Sequence, residues 1–339
     1  MRAPALAVLI GLVGLQPGAA ADFYAGKTIT MSSYTPPGDS YDLYLRLLGR
    51  HFARHIPGNP GMIITNQTGA GGILAMNYAG VLAPQDGTFL TLASQALLIL
   101  EATGQPGLRV SLNDLHWLGS FSQSNNVTVT WGRDARTRTL KDAIDHQVVM
   151  GASGAGGGSV IGPLIYNAVL GTRFKLVTGY QGGTAIDLAM RRGEVEGRGN
   201  NIWAAYKAEM PNEIRDGILN VLIQTGRRKE PDLPEVPLFL DLVRGDPRRE
   251  PVAQFMSYAV SIARPFAAPP GVPSDRVALV RRAFDDTMKD PAFLADAGKL
   301  RLEIDPLTGE EVQNVVSRVL GTPKPIINQI QAVLGLPPS

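Results

Sequence analysis

Residues 28–55 run TITMSSYTPPGDSYDLYLRLLGRHFARH. Thr28–Ser33 carries β-forming residues and reads as a strand. Pro36-Pro37-Gly38 turns the chain. From Ser40 onward, Tyr41, Tyr44, Leu45, Leu48 and Phe52 recur on one stripe, which predicts a helix over Ser40–His55. Pro57-Gly58-Asn59-Pro60 ends it, and the order repeats: a strand at Met62–Thr65, a turn at Gly69-Ala70-Gly71-Gly72, a helix to about Leu82, and a strand at Thr88–Ala93. Strand, turn and helix in alternation predict a mostly parallel sheet covered by helices.

The pattern then restarts. Asn126–Trp131 reads as a strand, and Thr139–Ile144 as a short helix with Thr139 as N-cap and Asp142 three residues on. Val148–Ala152 leads through Gly154–Gly158 into a helix ending at Leu170. Phe174–Thr178 leads through Gly179–Gly183 into a helix over Thr184–Arg192, and Ile218–Gln224 is a further strand. Residues 226–251 read as loop plus a short helix, with Arg227-Arg228-Lys229 as a solvated turn. Four helices follow: Ser274–Met288, Pro291–Ala297, Thr308–Leu320 and Pro325–Leu334. The third opens on Thr308-x-x-Glu311, a capping box. Lacking strands of their own, these helices are expected to pack back on the first unit. The chain then crosses twice between two lobes, and a ligand would sit in the cleft between them.

Composition narrows the function. Lys+Arg 32 against Asp+Glu 30 leaves a net charge of +2, so no basic field favours nucleic acid. With Cys 0, disulfides, thiolate nucleophiles and cysteine-held metals are excluded. Residues 1–21 read as a secretory signal: Arg2, an uncharged apolar stretch from Ala5 to Leu15, a Pro17-Gly18 break, and small residues up to Ala21, after which cleavage is expected. The apolar run is far shorter than the roughly 20 residues a membrane span needs. Without a cysteine for lipid attachment, the expected location is free in a Gram-negative periplasm.

Enzymatic signals are weak. Gly151-Ala152-Ser153-Gly154-Ala155 nearly matches a nucleophile elbow, but all four histidines (His51, His55, His116 and His146) precede Ser153. His51 and His55 stand four apart, yet no glutamate lies between them and Arg54 does, so metal ligation is not expected; two surface or interlobe histidines near a helix end are. Gly154–Ser159 fails the dinucleotide fingerprint, and Gly26-Lys27-Thr28 lacks the rest of a phosphate loop. What remains is that several strands end in Gly, Ser and Thr turns that open helices. A helix start has unpaired N–H groups and about half a positive charge. Several such ends facing one cleft would hold a small carboxylate. The alternative is that the glycines only permit tight strand-to-helix packing.

The assembled motifs resemble the Bug family, the periplasmic substrate-binding proteins of tripartite tricarboxylate transporters. The likeness runs from about Phe23 to about Leu334. It is carried by Phe23–Thr30 before the first strand, Tyr34–Asp42 at a Pro-Pro-Gly turn, Asn66–Gly72, and Ala83–Thr88. Gly179–Gly183 and Arg192–Gly197 carry it through the second lobe, and Arg264–Pro273 through the return. The resemblance implies a two-lobed, type II periplasmic-binding fold of the Venus-flytrap kind, α/β throughout. Its lobes would be residues 22–122 with 262–339, and 123–261. It also implies first-lobe ligand contacts at Tyr34, Thr35, Gly38, Asp39 and Ser40, at Gly69 and Ala70, and at Ser94 and Gln95. Second-lobe contacts would be Ser153, Gly154, Tyr180 and Asn200.

The implied partners are a small organic carboxylate and two integral membrane subunits. No cofactor, metal or nucleic acid is implied, and a monomer is expected. A sensing role toward a membrane sensor and an exported serine hydrolase using Ser153 are the alternatives. Two residues depart from the family pattern: Asp39 replaces a glycine and Thr68 a proline. Asp39 would cap the following helix or accept from a ligand hydroxyl or amine. Arg198, taken to lie beside a Gly197–Asn201 turn, is the candidate counter-ion, or a partner of Glu196. Trp203 is expected in the core rather than stacked on a ligand.

Overall fold

The computed structural model describes residues 23–154 and 157–336. The expected leader, its cut at Ala21 and position 155 of the near-elbow lie outside the described residues. The chain runs β1 (Thr28–Ser33), α1 (Ser40–His51), β2 (Gly61–Asn66), α2 (Ile73–Asn77), β3 (Phe89–Leu92), α3 (Ala96–Ala102) and β4 (His116–Ser122). It continues through β5 (Asn126–Trp131), α4 (Leu140–Asp145), β6 (Val148–Gly151), α5 (Gly158–Leu170), β7 (Phe174–Val177), α6 (Gly183–Arg191), β8 (Gly197–Ile202), α7 (Trp203–Glu209), α8 (Pro211–Arg215) and β9 (Leu219–Thr225). Then come α9 (Phe239–Leu242), α10 (Glu250–Ala259), β10 (Ala263–Ala268), α11 (Ser274–Thr287), α12 (Pro291–Lys299), β11 (Leu307–Thr308), α13 (Gly309–Leu320) and α14 (Lys324–Val333).

Among the described residues the strands form two sheets, ordered β11-β4-β10-β3-β1-β2 and β7-β6-β8-β5-β9. Two parallel parts are as the sequence predicts, β1 between β2 and β3 and β6 beside β7; a further parallel pair, β6 with β8, is not. Each sheet is completed by antiparallel strands, β10 against β3 and β4, and β5 against β8 and β9. These strands adjoin the two crossings between sheets, where the chain enters from the far side and runs against its neighbours.

The Gly197–Asn201 segment is not a turn. It is most of β8, which lies inside the second sheet between β6 and β5. Small residues are required there, because a Cβ on Gly199 would stand 2.2 Å from Pro163 Cγ of α5.

The last helices also differ from expectation. α11, α12 and α13 pack on the first sheet and α1, but α14 reaches α5 of the second sheet and α10. Its Ile327 and Ile330 join one apolar cluster that runs from Leu97–Leu100 through Ile161, Ile165, Phe239 and Val252 to Val312 and Val316. Gln331 Nε2 donates to Thr103 O at 2.8 Å, so α14 spans both sheets. One continuous core therefore joins the lobes at this side.

His51 is buried and His55 half-buried, and both face α12 of the same lobe. His51 Nε2 meets Asp296 at 3.0 Å and His55 Nε2 meets Asp290 at 2.9 Å. Separate carboxylates on α12 and its cap hold them, which fastens α1 to α12. Trp203 is buried beside Tyr206, Met190 and Val195, as expected, and its Nε1 donates to Asp232 at 3.0 Å.

Candidate functional site

A cleft of about 250 Å³ opens between the two sheets. It is built where strands hand over to helices. On the first sheet, Asp39 precedes α1 with extended backbone, and its Oδ1 accepts from Tyr41 N–H at 3.3 Å. The buried Asp42 carboxylate holds the turn by accepting from Gly38 N–H (2.8 Å), Arg46 Nε (2.7 Å) and Asn66 Nδ2 (2.8 Å). Burial alone would push Asp42 upward, but these donors hold it below the ordinary carboxylate range. Gly38 therefore faces Asp42, and it does not line the cleft. The following turn, Gly69–Gly72, holds positive φ at four successive residues, including Ala70 at 47°. Gly72 lies so close to Tyr34 and Ser94 that a Cβ there would stand 3.2 Å from the Tyr34 ring.

On the second sheet, Ser153 follows β6. Its N–H donates to Ser159 Oγ, and the two hydroxyls stand 3.1 Å apart. Gly154 does not line the cleft, since its carbonyl turns back to accept from Gly157 N–H at 2.8 Å. Tyr180 and the Gln181–Thr184 turn open α6. Arg198 projects from β8 against that helix start: a Cβ on Gly183 would stand 2.3 Å from Arg198 Nη2. Arg198 Nη1 donates to Asp187 Oδ2 at 2.8 Å, and Nη2 to Asn201 Oδ1 at 3.0 Å. The expected pairing with Glu196 is not made. Glu196 instead accepts from Val149 N–H at 2.7 Å.

Of the sequence-predicted contacts, Tyr34, Thr35, Asp39, Ser40, Gly69, Ala70, Ser94, Gln95, Ser153, Tyr180, Arg198 and Asn200 line one cleft. Gln95 also braces the crossings. With its amide nitrogen toward the carbonyls of Ile262 (3.0 Å) and Val260 (3.3 Å), its oxygen faces Asn126. Asn200 is buried in a left-handed conformation, φ 53°, with its N–H donated to Thr128 Oγ1. Its Oδ1 has no partner among the described residues.

Sequence reasoning missed Thr68, Gly157, Asn201 and, above all, Glu209 at the end of α7. Nothing in a polar residue at a helix end marks it in sequence as facing a cleft. Glu209 is open to water along the cleft but crowded by protein on its other sides. That crowding, with Asp39 and Asp187 nearby, pushes its carboxyl up to about 7 against the pull of Arg198 and Arg264. Burial likewise raises Asp39, opposed by Arg198. Burial works against the charge of Arg198, but Asp187 outweighs it and holds the guanidinium protonated well above the ordinary arginine range.

Behind Ser40 lies Arg264, fully buried at φ 61° in β10. Its Nη2 donates to Ser40 Oγ at 2.7 Å, and its guanidinium sits 4.0 Å from the Tyr44 ring centroid. No carboxylate pairs with it among the described residues. The arrangement offers anion-binding backbone donors at the starts of α1, α5 and α6, the Arg198 guanidinium, and the acidic side chains of Asp39 and Glu209. Among the described residues Ser153 Oγ meets Ser159 Oγ at 3.1 Å, and no histidine stands beside it. His51, His55, His116 and His146 bind Asp296, Asp290, the Pro270 carbonyl and Thr137.

Neither a family model nor a curated protein sequence matches the chain. Solved structures do. A protein from R. palustris, solved with adipate, is similar at 17% identity with a TM-score of 0.69, covering 92% of this chain and 99% of that one. MatC from Rhodopseudomonas palustris, with bound malate, is similar at 17% identity and a TM-score of 0.66, covering 91% and 99%. A TctC solute binding protein from Polaromonas, without ligand, gives 16% identity and a TM-score of 0.63 over 91% and 99%. The chain therefore has the two-lobed α/β fold of periplasmic solute-binding proteins along nearly its whole length.

Proposed function

We propose that this chain is a periplasmic receptor that captures a small organic carboxylate between its lobes and delivers it to a membrane transporter of the tripartite tricarboxylate kind. One observation carries the reading: strand-to-helix turns of both sheets converge on a single cleft, with helix starts and Arg198 directed at it. The lobes are residues 22–122 with 262–339, and 123–261, and the leader ends near Ala21. The malate and adipate held by similar folds support a carboxylate ligand.

The mechanism is capture without chemistry. In the open form, water solvates the helix starts. A carboxylate replaces that water at N–H groups already fixed in direction, so little further ordering is needed. Contacts made to the second lobe exist only when the lobes approach, and they shift the population toward closure. Pro36 and Gly182 already face each other across the cleft, since a Cβ on Gly182 would stand 3.7 Å from Pro36 Cδ. Two integral membrane subunits would then recognise the closed shape. The hydrolase alternative loses support from the pairing of Ser153 with Ser159 and from the distant commitments of the histidines.

A thermal-shift screen of mono-, di- and tricarboxylates tests this. A ligand at about a thousand times its Kd adds about 4 kcal/mol, a rise of several degrees. At least one acid is expected to give that rise, and a flat response to every acid overturns the reading.

A further inference from the structure

We infer that the carboxylate this cleft takes also carries a positively charged nitrogen: an amino acid, or another amino-bearing acid. The inference rests on the carboxylate reading above and narrows it.

Asp39 reaches the cleft from the β1–α1 turn and Glu209 from the end of α7, one from each side. Neither forms an ion pair among the described residues. Asp39 commits Oδ1 to one long bond from Tyr41 N–H, which leaves the rest of its carboxylate free to accept. The cleft lining also includes Asn200, whose Oδ1 is buried and unpartnered among the described residues. Buried polar atoms are normally paired, so an orphan acceptor on the cleft wall calls for a donor from the ligand. An ammonium group has only donors and suits acceptors of this kind.

The charges point the same way. The ionisable groups that act on Glu209 are Arg198, Arg264, Asp39 and Asp187, so three carboxyl groups here face two guanidinium groups. Asp187 already holds Arg198. A plain diacid would bring two more negative charges into this excess. An amino acid brings its carboxylate to the helix starts and Arg198, and its ammonium to Asp39 and Glu209.

Calorimetry on the purified protein at about pH 8 tests the inference with matched skeletons: aspartate, malate and succinate; glutamate, 2-hydroxyglutarate and glutarate; alanine, lactate and propionate. In at least one set, the amino acid is expected to bind about tenfold or more tightly than its partner without the nitrogen. Glu209→Gln, at a water-exposed position, is expected to shrink that ratio about tenfold and to raise affinity for the plain acid. Because the ionised Glu209 is the form that pairs with ammonium, the ratio should fall as pH drops from about 8 to about 6. Equal or tighter binding of the plain or hydroxylated acid in every set overturns the inference and leaves the carboxylate reading standing. Binding by none of the acids removes both. A preference for the amino acid that survives both Glu209→Gln and Asp39→Asn also overturns it.

Discussion

Arg198 meets Asp187 at 2.8 Å on the cleft wall, with 13% and 6% of the two side chains exposed. The pair has two effects. It satisfies a guanidinium that burial would otherwise penalise, and it draws positive charge away from any carboxylate ligand. Asp187→Asn separates them. Leaving the guanidinium without its carboxylate is expected to cost about 3 kcal/mol in urea unfolding. Affinity for a carboxylate ligand is expected to rise in the same variant. A variant that loses stability and affinity together would show that Arg198 only positions its neighbours. Arg198 is legible in the sequence as a lone cation among glycines; its partner is not. Asp187 lies 11 positions earlier, in the interior of α6, and only the packing of α6 on β8 brings the two together. Glu209 and Arg264 escape sequence reading for the same reason. Each is set at the cleft by an element whose partner lies far away along the chain.

β8 shows at the scale of elements what sequence patterns miss. Gly197–Ile202 has no alternation of apolar residues, because its side chains meet the cleft, Asp187 and the start of α5 rather than an apolar layer. β10 hides behind Pro265 and a buried arginine, although it lies between β3 and β4. Proline usually argues against an interior strand. Elements whose signals are local fare better. The capping boxes at Thr139 and Thr308 form with Asp142 and Glu311, and the β1–α1 boundary falls at Ser40. The unpatterned strand still has strict packing. A Cβ on Gly199 would collide with the Pro163 ring, which cannot rotate away. Gly199→Ala is expected to cost about 2 kcal/mol in urea unfolding, whereas Gly179→Ala, with open space beside it, pays only for its backbone conformation. Equal losses at the two sites would contradict the packing described for β8 and α5.

Across the whole molecule, a shared apolar core and a polar cleft divide the work. The cluster from α3 through α5, α10 and α13 to α14 holds the sheets together on one side. On the cleft side, Ile202, Ala204 and Ala205 pack into the apolar cluster of the first lobe, and polar contacts add to them. Lys207 Nζ meets Glu303 at 2.7 Å, and Gln95 braces the crossing strands. Such contacts are worth little each in water, so ligand binding can reset them. A joint with a broad apolar core on one side and a smaller one with polar ties on the other suits a clamp. The two-lobed plan is legible because each lobe repeats strand, glycine turn and helix. The joint is not, since α10 and α14 carry ordinary amphipathic patterns that do not say which lobe they serve.

The most direct test is a crystal structure of the protein with the tightest-binding acid of the carboxylate screen. Its carboxylate is expected between the sheets, contacting backbone N–H groups of the Ser40 or Gly183 helix starts and reaching residues of both lobes. An acid bound on one lobe alone, or outside the cleft, would contradict the claim that facing turns capture it.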